Sequence, residues 1–272
     1  MNGCVVNGFR AEDAYALSTE AGWNQTVEDW ERLLRLAPQG CFGIFDSGRL
    51  VASAVAFPYG QRLAWIGMVL TTATHRGRGY ASTLMQHCLA FLDAAGVESV
   101  KLDATELGRP VYARLGFKDE RPVSRWLRKP APLDDATASF QGFDDDLARA
   151  DFDAFGADRG PLLRELAKHE VLSLPRRALL FTRPGRTARH LGPCAARDPD
   201  AARAILTHAV ALHQHTPVLW DIFDENEPAC TLAQSLGFEP VRHLTRMYRG
   251  PHSAATRGWH PDIYALAAFE YG

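Results

Sequence analysis

Two arginines and two glycines lie next to one another in a single segment of the sequence, Arg76, Gly77, Arg78 and Gly79. A run of apolar residues precedes them and predicts a strand, and a predicted helix begins directly after them. Glycine permits positive φ and leaves no Cβ in the way of a ligand. The first turn of a helix also presents free N–H groups to an anion. The segment therefore predicts a loop that binds a pyrophosphate.

The spacing of these residues limits which pyrophosphate the loop would bind. A dinucleotide-binding loop would need a third glycine in phase, and a P-loop would need Gly-Lys followed by Ser or Thr; the segment has neither. Its pattern R-x-x-G-x-A, from Arg76 to Ala81, resembles the coenzyme A loop of the GNAT superfamily of N-acetyltransferases. An RGRG nucleic-acid-binding segment is disfavoured, because the chain is nearly neutral and the flanks of the loop have ordered patterns.

The resemblance continues beyond the loop. The sequence predicts a helix over Tyr80–Ala95, a strand over Val100–Ala104 and a short helix over Arg109–Leu115. This short helix carries Tyr112 just before Leu-Gly-Phe, which ends at Phe117, as in members of the superfamily. The resemblance implies an α/β (α+β) fold with two tandem GNAT-like domains, each a mixed, mostly antiparallel twisted sheet flanked by helices.

The resemblance also implies a role for each matching residue. The cofactor would be acetyl-CoA, as a cosubstrate, with no metal. Tyr112 would protonate the departing thiolate, a proton transfer between groups of similar basicity. Thr105 stands where many relatives carry an asparagine that touches the cofactor. The implied cofactor contacts are Val69, Leu70 and Thr71 for the pantetheine arm, and Arg76, Gly77, Arg78, Gly79, Tyr80, Ala81 and Ser82 for the pyrophosphate.

The general base is harder to place. The acceptor amine must be neutral to attack, so a base or a water chain is required. Relatives often place a glutamate on the strand before the loop, but Ala64–Thr71 contains no carboxylate. Asp103 is the nearest candidate, with Glu106 behind it. Either could equally be a solvated loop residue or a helix N-cap.

The second half of the chain repeats the order of the first. Phe117 and Phe238, each the end of a Leu-Gly-Phe triplet, are 121 positions apart. The same offset without gaps places Asp198, Pro199 and Asp200 on Gly77, Arg78 and Gly79, and Ala233 on Tyr112. Carboxylates would repel a pyrophosphate, and proline removes an N–H donor. The offset therefore predicts a degenerate copy that has lost cofactor binding.

The proline- and aspartate-rich text KPAPLDDATA predicts the boundary between the two copies. We expect a catalytic domain over residues 1–130, a linker over 131–136 and a degenerate domain with a C-terminal tail over 137–272. This arrangement resembles a bacterial tandem-GNAT group.

Two segments are candidates for contact with the acceptor. Trp23 and Asn24 lie in the predicted loop between the first two helices, which overhangs the acceptor site in GNAT folds. They could equally be a packing tryptophan and a helix-capping asparagine. Asp158 and Arg159 could clamp a charged acceptor or form an ion pair that fixes the domain interface.

Composition excludes several other classes of protein. The 272 residues carry a formal net charge of −2 and have a pI of about 6.6, which supports neither nucleic acid nor a membrane surface as a partner. Five scattered cysteines without a CxxC pair suit a reducing cytosol. His208, His213 and His215 have no nearby ligand set, so we expect no metal. No signal peptide or membrane span is visible. The expectation is a cytoplasmic monomer or homodimer.

The sequence therefore predicts an enzyme that transfers acetyl from acetyl-CoA to a primary amine, with a small metabolite as the acceptor. The alternative is a non-catalytic acyl-CoA sensor, in which the first domain binds the cofactor and the second binds a partner. Tyr112 distinguishes the two, since a sensor does not need an acid for the leaving group.

Overall fold

The computed structural model describes residues 4–133, 140, 142, 145–251 and 260–272. The predicted linker residues 134–136 lie outside the described residues. The first half contains β1 (Val5–Asn7), α1 (Ala11–Glu20), α2 (Val27–Leu36), β2 (Cys41–Asp46), β3 (Arg49–Tyr59), β4 (Leu63–Thr71), α3 (Tyr80–Ala94), β5 (Ser99–Ala104), α4 (Arg109–Arg114) and β6 (Lys118–Arg128). The second half contains α5 (Asp145–Phe155), α6 (Gly160–Leu166), β7 (Glu170–Leu174), β8 (Ala178–Arg183), β9 (Arg189–Ala196), α7 (Pro199–Leu212), β10 (Val218–Phe223), α8 (Glu227–Ser235), β11 (Glu239–Arg249) and β12 (Ile263–Ala265).

Local sequence signals explain several helix ends. A capping box begins α2, where the Thr26 side chain accepts from the Asp29 N–H and the Asp29 carboxylate accepts from the Thr26 N–H. Pro110 lies in the first turn of α4, where its missing N–H costs nothing. Gly116 follows α4 at φ 88°, a conformation that favours glycine.

The strands form one continuous mixed sheet, where the sequence suggested one sheet in each domain. Over the described residues the sheet has 12 strands in the order β1-β2-β3-β4-β5-β11-β6-β10-β9-β8-β7, with β12 paired to β9. The two halves exchange strands at its centre. The first half's β6 pairs with β10 of the second half, and the second half's β11 pairs with β5 of the first half. Each half therefore completes the sheet of the other.

The register of the central pair is that of a pseudo-two-fold axis. β6 and β11 are antiparallel, and Val123 faces Leu244, its own counterpart at the 121-residue offset. The residue pairs on the two sides of Val123 and Leu244 are related by the same axis. For example, Glu239 pairs with Leu127, and Tyr248 pairs with Lys118. The duplicated sequence therefore explains the symmetry of the sheet as well as the order of its elements.

Two buried ion pairs are related by the same axis. Arg246 on β11 faces Asp103 on β5, and its Nε and one Nη donate to the two carboxylate oxygens at 2.9 and 3.0 Å. Arg125 on β6 faces Asp221 on β10 and donates to both of its oxygens at 2.7 Å. The pairs bridge the exchanged strands, so each carboxylate is neutralised by the opposite half.

The hydrophobic core is also shared. One cluster contains Trp30 and Leu63 of the first half together with Leu163 and Phe181 of the second. The segment formed by residues 266–272 packs into this cluster, where the ring of Tyr271 meets that of Phe57 edge to face at 5.8 Å. Burial of this apolar surface, together with the strand exchange, fixes the second half against the first.

We expect Asp221→Asn to lower the free energy of unfolding by about 3–5 kcal/mol, because it leaves Arg125 buried without a compensating charge. Urea denaturation would measure the loss. Asp224→Asn, at an exposed position in the same segment, is the matched control and should change stability by less than about 0.5 kcal/mol. Equal stabilities of the two variants would show that the central ion pairs do not hold the halves together.

Candidate active site

A gap opens between β4 and β5. The two strands run parallel and pair only from Leu63–Ser99 to Trp65–Lys101. Past this point β4 has an irregular register against β3, and Met68 adopts φ 56°, which is unusual for a residue with a side chain. The Ser53 hydroxyl donates to the Met68 carbonyl at 2.9 Å and holds the distortion in place. The predicted pantetheine contacts Val69, Leu70 and Thr71 follow directly, on the part of β4 that β5 does not cover.

The predicted pyrophosphate loop lies between the end of β4 and the start of α3. Gly77 and Gly79 have φ of 76° and 82°, and a Cβ added at either would meet nothing within 4 Å. Gly79 is the N-cap of α3 and supplies no side-chain cap, so the N–H groups of the first turn are available to a ligand. Arg76 and Arg78 are exposed beside them. The loop has the conformation and the charge that a pyrophosphate requires.

Hydrogen bonds within the loop hold it in this shape. Arg78 donates to the Thr74 carbonyl at 3.2 Å. One ring nitrogen of His75 is 2.8 Å from the Thr72 hydroxyl, and the other is 3.0 Å from the carboxylate of Asp46. His75 therefore anchors the loop to the turn between β2 and β3.

The second half lacks such a loop. Only Arg197 and Asp198 separate β9 from α7, whereas residues 72–79 separate β4 from α3. Asp198 is the N-cap of α7, and its carboxylate accepts from the Ala201 N–H at 2.8 Å and from Arg177 at 2.7 Å. The ungapped offset was therefore wrong in this region, because the glycine loop has no counterpart there. The same offset places Asp103 on Asp224, but the pairing with the exchanged strands makes Asp221 its counterpart.

A strand of the chain itself fills the second half's gap. β9 and β10 pair in parallel only from Arg189–Val218 to Leu191–Trp220. Beyond this, β12 pairs antiparallel with β9, and the Tyr264 carbonyl accepts from the indole N–H of Trp220 at 2.8 Å. β12 thus occupies, against β9, the place that is open beside β4 in the first half.

The gap in the first half opens into a cleft of about 600 Å³, part of it open to solvent. The cleft brings together Trp23, Val69, Asp103, Thr105 and Tyr112, all predicted from the sequence. It is also lined by residues that the sequence did not point to, namely Gln25, Arg125, Arg242 and Glu270.

Tyr112 lies on α4 at the wall of this cleft, with its ring edge to face with Phe117 at 6.2 Å. Burial, with a smaller effect of Cys88, raises the pKa of the Tyr112 phenol to about 12. The phenol is therefore fully protonated near neutral pH and can donate a proton. The hydroxyl of Thr105, which lines the same cleft, accepts from the Gly108 N–H at 3.1 Å and shapes the turn before α4.

Asp103 reaches the cleft, but in a different state from the one predicted. Its side chain is neither a solvated loop group nor a helix cap, because it is buried on β5 with both oxygens bound to Arg246. Burial raises its pKa, against the opposing effect of Arg246. The equivalent pair of Asp221 and Arg125 in the second half has the same geometry, which indicates an architectural role for both pairs.

Glu270 is the carboxylate that the sequence analysis missed. It lies on the 266–272 segment, which passes so close to β4 that a Cβ on Gly67 would come within 2.8 Å of the Glu270 Cα. Its side chain is buried, and it accepts from the Gln25 amide at 3.2 Å and from Arg183 at 3.4 Å. Burial raises the pKa of Glu270, and Arg183 opposes this shift. A carboxylate thus lies beside the β4 strand, supplied by a distant segment.

The other predicted acceptor contacts do not line this cleft. The Asn24 amide bonds to the backbone of the turn before β9, donating to the Ala188 carbonyl at 2.9 Å and accepting from the N–H groups of Thr187 and Ala188. The Asp158 carboxylate accepts from the Gly160 N–H at the start of α6.

Arg159 is paired with Asp151 and not with Asp158, and it donates to the Gly272 carbonyl at 2.9 Å. The polar groups of Asn24, Asp158 and Arg159 therefore hold segments of the chain together, and their role as acceptor contacts stays a prediction.

Two kinds of site are missing from the part of the chain that the structure describes. It has no group of three or more His, Cys, Asp or Glu side chains placed to bind a metal ion. Within that same part, no helix has the length and apolar character to cross a membrane.

Comparison with protein-family models gives two matches, one in each half. Residues 9–117 match the acetyltransferase (GNAT) family, and residues 147–264 match an acetyltransferase (GNAT) domain. The chain belongs to the GNAT acetyltransferase family. It is a tandem GNAT protein, and the family implies an acyl-CoA cosubstrate, which the loop before α3 fits.

Several proteins resemble this GNAT acetyltransferase over most of its length. An uncharacterized N-acetyltransferase of Bacillus subtilis, YitH, is 28% identical over 82% of each chain. A holothin acyltransferase from a Pseudoalteromonas species is 24% identical over 92% of this chain and 87% of the relative. A putative acetyltransferase from Pyrococcus horikoshii has a TM-score of 0.87 at 20% identity, covering 100% of this chain and 97% of its own. A tandem GNAT protein from the clavulanic acid pathway has a TM-score of 0.61 at 14% identity over 90% and 96% of the two chains. The solved structures support the fold.

We expect Gly79→Asp to weaken acetyl-CoA binding by at least about tenfold, because it places a negative charge in the loop. Gly79→Asn is the matched control, since asparagine has nearly the same shape and tolerates positive φ without adding charge. Isothermal titration calorimetry with acetyl-CoA would measure both affinities. Equal affinities of the aspartate and asparagine variants would place the pyrophosphate away from this loop.

Proposed function

We propose that this GNAT enzyme transfers an acetyl group from acetyl-CoA to a primary amine of a small metabolite, by direct transfer in a ternary complex. The observation that carries the proposal is the placement of Tyr112 and Glu270 in one cleft beside the open part of β4. One can donate a proton and the other can accept one. The similarity to a holothin acyltransferase supports a small molecule as the acceptor.

The cofactor would be held by the first half alone. The residues for the pyrophosphate are those of the loop and the first turn of α3, Arg76 to Ser82, and those for the pantetheine arm are Val69 to Thr71. The second half supports this assignment, because Asp198 caps α7 and β12 fills the gap beside β9. We therefore propose that the second half is degenerate as a cofactor-binding domain and serves to build the acceptor site. The predicted division at residues 131–136 remains part of this proposal.

Glu270 is the general base in this proposal, in place of Asp103. An amine entering the cleft must lose a proton as its nitrogen bonds to the acetyl carbonyl carbon. Both oxygens of Asp103 are engaged by Arg246, and removing that pair would leave a buried arginine uncompensated. The raised pKa of Glu270 brings its basicity closer to neutral pH, as suits a base.

Tyr112 completes the transfer. As the bond between the carbonyl carbon and the sulphur breaks, the phenol proton passes to the thiolate, so that free thiol and amide are the products. The phenol is protonated at neutral pH, because burial keeps its pKa near 12. The proton that the amine gives up and the proton that the thiol gains therefore pass through different residues.

Tyr112→Phe should lower kcat about 100-fold while leaving acetyl-CoA affinity unchanged, because only the proton donor is lost. The measurements are thiol release across a panel of primary amines and calorimetry with acetyl-CoA. Tyr15→Phe, on α1 and outside the cleft, should change neither. Unchanged turnover in Tyr112→Phe would remove Tyr112 as the proton donor. Binding of acetyl-CoA by the wild type without thiol release in the presence of any amine would instead favour the acyl-CoA sensor.

Glu270→Gln and Asp103→Asn separate the two candidate bases. If Glu270 is the base, kcat/KM of the wild type falls as pH decreases through its raised pKa, since the protonated carboxyl cannot accept a proton. Glu270→Gln should abolish this limb of the pH profile and lower kcat/KM about 100-fold. Asp103→Asn should keep this decrease of kcat/KM at low pH and should lower the free energy of unfolding. The reverse pattern would return the role to Asp103.

A further inference from the structure

Arg242 is a half-buried arginine that the proposed mechanism does not use. It extends from β11 into the wall of the cleft that holds Tyr112 and Glu270. Its guanidinium lies 5.7 Å from the centre of the Trp23 ring, and it has no hydrogen bond or ion pair to any of the described residues. Burial, and next the charge of Arg125, lower its pKa. A guanidinium in this position offers its fork of N–H donors to a ligand.

The symmetry of the molecule shows what Arg242 lacks. Its counterpart at the 121-residue offset is Arg121 on β6, and the two occupy mirrored positions in the central strand pair. Arg121 lies 2.8 Å from the carboxylate of Glu225 and 3.9 Å from that of Glu120. The residue corresponding to Glu120 is Val241, an exposed apolar side chain. The duplicated framework thus pairs this arginine in one half and leaves it without an acid in the other.

The other charges of the cleft balance one another. Asp103 is paired with Arg246, and Arg125 is paired with Asp221. Glu270 in the cleft and Asp29 behind it are matched by Arg183 and Arg32. Arg242 therefore leaves one positive charge in excess among these residues, which a single negative charge on a ligand would neutralise.

We propose that Arg242 binds a carboxylate of the acceptor, so that the acceptor class is an amino acid or another amine with a carboxylate. The inference rests on the proposed function. The amine lies at Glu270, and the carboxylate lies against the guanidinium beside Trp23. One arginine with a planar fork matches a carboxylate, whereas a phosphate dianion would leave negative charge uncompensated.

Initial rates of thiol release with matched acceptor pairs would test this inference. The probes are α-amino acids and linear ω-amino acids, each compared with its own carboxamide, which keeps the amine and removes the charge. In the wild type, we expect the carboxylates to be favoured in kcat/KM by about 10–100-fold. Arg242→Met should remove this preference by raising KM for the carboxylates, with little change for the carboxamides.

Two further variants and a binding control make the result specific. Arg242→Lys should retain part of the preference, and Arg242→Glu should shift it toward diamines. Arg203→Met replaces an exposed arginine on α7 and should preserve both the rates and the preference. Calorimetry with acetyl-CoA should give the same affinity in every variant, since Arg242 is not part of the cofactor loop, and so confirm that each protein is folded.

The outcomes separate this inference from the proposed function. Acetylation of the carboxamides as efficiently as the carboxylates, or a preference that survives Arg242→Met, would overturn the carboxylate site and leave the acetyltransferase intact. A preference for aminoalkyl phosphates over the carboxylates would also overturn it. Acetylation of no amine in either set, with acetyl-CoA still bound, would contradict the proposed function itself.

Discussion

The antiparallel pairing of β6 with β11 is the interaction on which the rest of the structure depends. These two strands lie between β5 of the first half and β10 of the second, so the sheet of each half is completed by a strand of the other. An unpaired strand edge is costly and prone to aggregation, and the exchange removes one from each half. Two buried ion pairs join the exchanged strands. A conformation in which only one partner of such a pair is in place would leave a buried charge uncompensated, which raises its free energy. The halves are thus expected to fold and unfold together.

This arrangement also explains how a single site can be built from both copies. The open gap between β4 and β5 is a property of the first half, while Arg242 comes from β11, which lies beside β5 because of the exchange. Glu270 comes from the segment after β12. β12 itself fills the second half's gap, and the segment that follows it passes close to Gly67. One segment therefore closes one gap and brings a carboxylate to the other.

Local patterns in the sequence were sufficient to predict the glycine-containing loop and the short helix that carries Tyr112, because each depends on neighbours within a few positions. The glycines at 77 and 79 do adopt positive φ, and Tyr112 does lie on a short helix. β6 and β11 were not predicted as strands, since they carry charged residues on both faces, and the buried charges of Arg125 and Arg246 are neutralised by carboxylates on strands of the opposite half. Asp103 and Arg246 are separated by 143 positions, a distance over which no periodic pattern reports contact.

The position of Glu270 in the cleft could not be predicted either, because it also depends on contacts between distant parts of the sequence. Glu270 is the one acid in the text Ile263-Tyr-Ala-Leu-Ala-Ala-Phe-Glu270-Tyr, where a carboxylate amid apolar residues indicates burial and a partner, but not which partner. The ungapped repeat also misled in one respect. It placed Asp198 on Gly77, although the second half has no such loop, because an offset taken from Leu-Gly-Phe holds only where neither copy has gained or lost residues.

Residues that correspond in the two halves maintain the fold, whereas residues that differ between the halves are candidates for binding and catalysis. Val123 with Leu244 and the two carboxylate–arginine pairs are mirrored, so their roles are architectural in both copies. The glycine loop, Tyr112 opposite Ala233, the open gap beside β4, and Arg242 without the acids that flank Arg121 are all asymmetric. The open part of β4, Tyr112 and Arg242 meet in a single cleft, and the glycine loop directly follows the strand that lines it. Residues that only maintain the framework would have no reason to differ together at one place, so the asymmetry itself supports the assignment of the cleft as the active site.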